Sequence, residues 1–150
     1  MRPYIDIRFN IFSDWEINKM IQGFHLVGHK HEKYRDTTTL NLLGENIVQL
    51  TKKFEPYIHN NVVDYTHLVQ WHEGSEQKLH IDDVDPGTTI SSITYLNDNF
   101  EGGETFFGEG TIVKPVKGKT IFFSGVELIH GVKKVRNGER YTLATWYKKK

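Results

Sequence analysis

Thr88-Thr89-Ile90-Ser91-Ser92-Ile93-Thr94-Tyr95-Leu96-Asn97 is a run of β-branched and aromatic residues that closes on Asn and Asp, which reads as a strand ending in a turn. Working outward, runs of this kind, with period two and broken by Gly, Asn and Asp, recur throughout the chain beyond residue 60. They predict roughly eight short strands, at about 62–71, 77–82, 88–97, 104–107, 111–115, 119–124, 128–135 and 139–147. Upstream the pattern differs. Ser13-Asp14-Trp15-Glu16 has the form of a capping box, and Trp15, Met20 and Phe24 can share one side of a helix over about 14–23. Gly28 to Thr39 reads as a polar loop containing His and Thr. Leu43, Ile47, Leu50 and Phe54 then recur at helical spacing up to Pro56, giving a second helix over about 40–55. Two helices followed by strands without intervening helices predict a mainly β fold, a jelly roll or small barrel with the helices on one outer face.

The 150 residues suit a single domain spanning 1–150, with helical support over about 1–60 and a β core over about 61–150. A chain of this length buries roughly 68–70% of its unfolded surface, enough for a core without disulfides. Nineteen basic and nineteen acidic residues cancel, which argues against a phosphate-binding surface and a nucleic-acid partner. Without Cys there is no disulfide, thiolate zinc site or cysteine nucleophile, so any metal must use His and carboxylates. Met1-Arg2-Pro3-Tyr4-Ile5-Asp6 lacks the apolar core of a signal peptide, and no apolar run approaches membrane-spanning length. The expected location is the cytoplasm, with no membrane partner and the oligomeric state open. Lys148-Lys149-Lys150 reads as a solvated end.

His80-Ile81-Asp82 falls in an expected strand, where residues i and i+2 project from one face, so an imidazole and a carboxylate can reach one metal. Leu79 and Ile81 are then expected to face a helix-covered layer. The pair alone is weak, because eight His would give about one such pair by accident. His130, 48 residues later in Glu127-Leu128-Ile129-His130-Gly131-Val132, changes that. Two His and one carboxylate form the facial set of non-haem iron(II), which leaves positions open for substrate and oxygen. His25, His29 and His31 read as solvent-exposed, and His59, His67 and His72 have no spaced partner. Asp83 is expected to point away from Asp82, and Asp85 before Pro86 reads as turn chemistry.

Further residues extend the pattern: Thr94-Tyr95-Leu96-Asn97-Asp98, Phe100-Glu101-Gly102-Gly103-Glu104-Thr105, Pro115-Val116-Lys117-Gly118, Phe122-Phe123, His130-Gly131-Val132 and Gly138-Glu139-Arg140-Tyr141. With His80-Ile81-Asp82 they make the stretch from Trp71 to Trp146 resemble the catalytic core of the iron(II)- and 2-oxoglutarate-dependent dioxygenases, most closely the prolyl 4-hydroxylase-like branch. The resemblance implies a double-stranded β-helix of the cupin-like jelly-roll type. It implies that His80, Asp82 and His130 hold catalytic Fe(II). It also implies that Arg140, ten residues after His130, binds the distal carboxylate of 2-oxoglutarate, with a second hydrogen bond from Tyr95. An Arg fork suits a carboxylate held at two points. Oxygen would be the other co-substrate and ascorbate a candidate auxiliary. Trp71 stands where the family usually has a Tyr, and its indole offers one donor and no acceptor; it is expected buried beside the oxo-acid without a catalytic role. Gly102 and Gly103 are expected to permit a tight connection.

The implied reaction couples oxidative decarboxylation of the oxo-acid to succinate with hydroxylation of an unactivated C–H, first of all on a peptidyl proline. A free amino acid or other small molecule is the alternative substrate, and a cupin-like metal-binding module without oxygenase activity the alternative class. The implied site also constrains register. A three-residue loop, Arg136-Asn137-Gly138, would pair Lys134 with Arg140 and His130 with Ala144, putting His130, Arg140, Thr142 and Trp146 on one interior face with Gly138 at positive φ.

Overall fold

Ser13 caps the first helix as its spacing demands: its Oγ accepts from the Glu16 amide at 3.1 Å, and Glu16 Oε1 accepts from the Ser13 amide at 2.9 Å. The computed structural model describes residues 4–82 and 84–150, so the readings of Asp83 and of the first three residues lie outside the described residues. The helices are α1 (Asp14–Leu26) and α2 (Glu45–Phe54). In chain order the strands are β1 (Ile5–Phe9), β2 (Glu32–Tyr34), β3 (Thr37–Asn41), β4 (Asn61–Trp71), β5 (Gln77–His80), β6 (Thr88–Tyr95), β7 (Glu101–Gly102), β8 (Thr105–Phe107), β9 (Ile112–Val113), β10 (Lys119–Phe123), β11 (His130–Val132), β12 (Val135–Arg136) and β13 (Arg140–Lys149).

Seven strands form the larger sheet, in the order β1-β10-β6-β13-β4-β3-β2, and four form the smaller, β5-β11-β8-β9. The pairings are antiparallel, and the two sheets face one another as a double-stranded β-helix. β13 sits between β4 and β6, and its alternation divides labour. Leu143 and Tyr147 join Leu40, Val63, Leu68 and Phe122 in the core beneath Ile17, Phe24, Leu50 and Phe54 of the helices. Arg140, Thr142, Ala144 and Trp146 take the opposite face, between the sheets. A bulge follows: Trp146 opposes Tyr65 but Tyr147 opposes Val63, so Asp64 is left over.

Several local expectations are corrected. The polar stretch after Gly28 is a 3-10 turn and the β2–β3 hairpin, because consecutive Thr37, Thr38 and Thr39 pair with β4. Strand β3 claims the start of the expected second helix, which begins after Gly44 and leaves Leu43 exposed. Trp15 is 68% exposed, while Ile17 joins Phe24 in the core. Leu79 and Ile81 are exposed as well, because the helices pack on the larger sheet and, among the described residues, none covers the smaller one. The expected strand over 128–135 is two strands in two sheets. His130 opposes His80 and Phe107 rather than Ala144, β12 pairs with β7, and Arg140 opposes Trp71 rather than Lys134. Crossing between sheets, not a hairpin, is what brings His130 and Arg140 inside together. Asn137 and Gly138, at φ +55° and +147°, make that connection.

Phe54 ties the helical layer to the sheet, with its ring edge-on to Phe12, Phe122 and Tyr147 at 5.4, 5.9 and 5.8 Å. Phe54→Ala should therefore cost about 3–5 kcal/mol of stability, measured by denaturant unfolding, since Phe54 is fully buried and its removal leaves a cavity among those rings.

Candidate metal and anion site

His80 ends β5 and His130 begins β11, directly opposite one another, while Asp82 follows β5 with its amide bonded to the Gly125 carbonyl at 2.9 Å. The ligand atoms of the three side chains lie within 4.8 Å of one another, and no other such cluster occurs among the described residues. His130 Nε2 is 3.0 Å and His80 Nε2 3.6 Å from Asp82 Oδ1. Each imidazole Nδ1 lies against a backbone carbonyl two residues upstream, Lys78 O at 2.9 Å and Leu128 O at 2.8 Å. Those carbonyls can only accept, so each Nδ1 carries a proton and donates. In the neutral rings the Nε2 lone pairs then face a carboxylate oxygen, an arrangement that calls for a shared cation. Two imidazoles and a carboxylate on one side fit a divalent iron with open positions. Asp82 Oδ2 is held separately, accepting from Ser91 Oγ at 3.1 Å and Trp146 Nε1 at 3.3 Å.

With the imidazoles protonated instead, each Nε2 carries a proton towards Asp82: burial acts to raise the Asp82 pKa, but the hydrogen bonds from His130 and His80 outweigh it and hold the carboxyl well below its usual range. The same hydrogen bond to Asp82 raises His80, against desolvation. The Phe107 and Phe123 rings stand 6.1 and 4.8 Å from the His130 ring and shield it from water.

Arg140 is 1% exposed. Its Nε donates to the Gly103 carbonyl at 2.9 Å and its Nη2 to Thr105 Oγ1 at 3.1 Å. The guanidinium stands 5.0 Å from the Trp71 ring centroid and 5.2 Å from that of Tyr95. No carboxylate pairs with it among the described residues, and burial lowers its pKa. Tyr95 is fully buried and directs its hydroxyl to Thr105 Oγ1 at 2.5 Å. Thr105 opposes Val132, two positions along the strands from the Phe107–His130 pair, so a polar cage around one cation and the His–Asp cluster share the space between the sheets.

The expected inward Arg140 beside Tyr95 is thus found, though by a different register. Trp71 lies over the guanidinium but is only half-buried. Gly103 permits the approach: it holds φ +68°, and a Cβ there would meet Phe100 at 2.7 Å and Arg140 Cδ at 3.1 Å. His25 and His31 engage Tyr141 and the Phe24 carbonyl, and His72 pairs with Thr38 and Glu139. Sequence reasoning missed Ser91 and the role of Thr105. Their signal lies in the alignment of strands distant in sequence, Ser91 with Trp146 and Thr105 with Val132.

Residues 65–148 match the family model of the 2OG-Fe(II) oxygenase superfamily. Human prolyl 3-hydroxylase 2 is 44% identical over 64 residues, which are 38% of this chain and 9% of that protein. The chain therefore spans about a tenth of the length of the curated relatives it matches. The viral collagen prolyl hydroxylase of Paramecium Bursaria Chlorella virus-1, in its 2-oxoglutarate complex, superposes with a TM-score of 0.79 at 21% identity, covering 98% of this chain and 96% of that one. A prolyl-4-hydroxylase from Pseudomonas putida gives 0.76 at 16% identity, covering 97% and 92%.

Replacing His80 or His130 with Ala should abolish tight Fe(II) binding in equilibrium titration, whereas His72→Ala should retain it. Because the raised His80 pKa means its proton leaves above the usual range, metal affinity should rise with pH through a midpoint above about 6.5 and fall below it. A flat titration between pH 5 and 8 would contradict this. Removing a buried cation from an anion costs about 3–5 kcal/mol, so Arg140→Ala should weaken 2-oxoglutarate binding by about two to three and a half decades with Fe(II) retained.

Proposed function

The chain belongs to the 2OG-Fe(II) oxygenase superfamily, and from that premise we propose that it hydroxylates a proline within a peptide or protein. The observation that carries the 2-oxoglutarate-dependent part of this reading is the buried Arg140 guanidinium, without a carboxylate partner among the described residues, between the same sheets as the His–Asp cluster. His80, Asp82 and His130 would hold the metal, and Arg140 would answer the far carboxylate of a dicarboxylic co-substrate. Iron(II), 2-oxoglutarate and oxygen together supply the oxidation, with succinate and carbon dioxide as the other products.

The chain's own residues do the placing. His80 and His130 offer Nε2, and Asp82 offers Oδ1, while Ser91 and Trp146 keep the other carboxylate oxygen from turning inward. Arg140 receives the distal carboxylate, Tyr95 and Thr105 complete its polar surroundings, and the Trp71 ring covers the cation. Phe107 and Phe123 keep water from the His130 side. Ascorbate as an auxiliary reductant and a cytoplasmic location belong to the same proposal. Support for proline comes from the names of the matched proteins, among which both 3- and 4-hydroxylases occur.

Incubation with Fe(II), 2-oxoglutarate, ascorbate and proline-containing peptides should give a product heavier by one oxygen atom, equimolar with succinate and with the added oxygen on a proline ring. A product formed from a free amino acid or other metabolite would transfer the reading to small-molecule hydroxylation. Metal binding without 2-oxoglutarate-dependent succinate on any substrate would leave only the metal-binding module.

A further inference from the structure

Across the inner face of the larger sheet, register sorts the side chains into rows. Trp71 opposes Arg140, Val69 opposes Thr142 and then Tyr95, His67 opposes Ala144 and then Ile93, and Tyr65 opposes Trp146 and then Ser91. The Tyr95 and Ile93 end is closed by the buried cluster of Phe107, Val113, Ile121 and Phe123. At the other end the rows run out through half-buried Tyr65, His67 and Thr39 to exposed Asn41, which pairs with His67. Substrate therefore has to reach the cluster from the β4 side. Ala144 presents only a methyl group opposite His67, whose ring borders the stacked rings of Tyr65 and Trp146, 4.7 Å apart at 11°.

His67 stands edge-on to Trp146 at 5.3 Å, beside the indole that holds Asp82, and neither ring nitrogen has a partner among the described residues. Its Nδ1 is sealed from solvent. A proton there would be a buried donor without acceptor, which costs about 1–3 kcal/mol, so the neutral ring keeps its N–H on Nε2, at the end away from the backbone. Burial keeps the ring neutral. The Glu32 carboxylate acts on it, and those of Asp85, Asp82 and Asp64 act on Tyr65, Asp64 being paired with Lys148 Nζ at 3.4 Å. Negative charge on this side disfavours an anionic substrate group and leaves a neutral acceptor for Nε2–H. A prolyl residue has no backbone N–H, so a protein that hydrogen-bonds its main chain must donate.

We infer that His67 is a substrate-specificity residue, whose Nε2–H donates to a backbone carbonyl of the bound peptide beside the proline to be hydroxylated. This rests on the peptidyl-proline reading. The consequence is selection of a proline within a chain over free proline, whose carboxylate would sit among the acidic groups.

The test is a binding titration of protein loaded with Fe(II) and 2-oxoglutarate, without oxygen, using a proline-repeat peptide capped at both ends and, separately, free L-proline. Wild type should bind the peptide and not the amino acid. His67→Phe should weaken peptide binding about tenfold, the loss of one hydrogen bond or about 1.4 kcal/mol. His67→Gln, which restores a donor, should stay within about threefold of wild type. Thermal unfolding of each variant checks that it is folded, and His67→Ala replaces the Phe variant should that one fail to fold. Binding within twofold for the donor-less variant, or equal losses for it and for Gln, would overturn the inference while leaving the function intact. Wild type that ignores the capped peptide would overturn the peptidyl reading and this inference with it.

Discussion

The Asp82 carboxylate is where the two sheets are joined, and its two oxygens answer to different sheets. Oδ1 faces imidazoles from the ends of β5 and β11 in the smaller sheet, and Oδ2 accepts from Ser91 on β6 and Trp146 on β13 in the larger. A largely buried carboxylate is costly unless its lone pairs are engaged, and here Ser91 and Trp146 donate to one oxygen while the two imidazoles, with a proton or a shared cation between, face the other. The spacing of the sheets, the rotation of the carboxylate and the position of any metal are thereby set together. Gly125 belongs to the same constraint, since a Cβ there would collide with Asp82 Oδ2 and with Ser91.

Arg140 poses the complementary problem. Its charge is fully buried against neutral groups, namely a carbonyl, a hydroxyl and two aromatic faces. Those contacts satisfy geometry and return part of the lost hydration, yet they leave net charge uncompensated in a low-dielectric space. The fold tolerates this because the larger core, on the far side of β13, is apolar and carries its weight: Leu143, Tyr147, Phe54 and Phe122 pack there. Stability thus resides on one face of a strand and binding chemistry on the other, which is why neither has to compromise the other's side chains.

How much of this was legible in the sequence depends on the range of the interaction. The capping box at Ser13 and the turn at Asp85, whose carbonyl accepts from the Thr88 amide at 3.0 Å, are local and could be read directly. The His80, Asp82 and His130 set was legible because two of its members stand two residues apart at the end of a strand and the third completes a known ligand chemistry. The pairing of residues 128–136 was not. Continuity of apolar residues suggested one strand and a hairpin, whereas the backbone passes from β11 in one sheet to β12 elsewhere, with Lys133 donating its amide to Glu104 on the way. Nothing local distinguishes a hairpin from a crossover when both end with Arg140 inside. Thr37-Thr38-Thr39 was likewise hidden, since a Thr run becomes a strand only when an edge such as β4 is there to receive it.

The bulge at Asp64 sets a boundary on how this chain can vary in length. Between Tyr65 and Trp71, and between Arg140 and Trp146, alternate residues belong to the apolar core and to the chemical site, so one inserted or deleted residue would exchange the two sets wholesale. Below the bulge the parity of β4 has already been reset relative to β13, and Val63 meets Tyr147 on the core side with no site residue left to displace. Drift in strand length is therefore confined to that lower end, and the upper segment can change only by substitution, one side chain at a time.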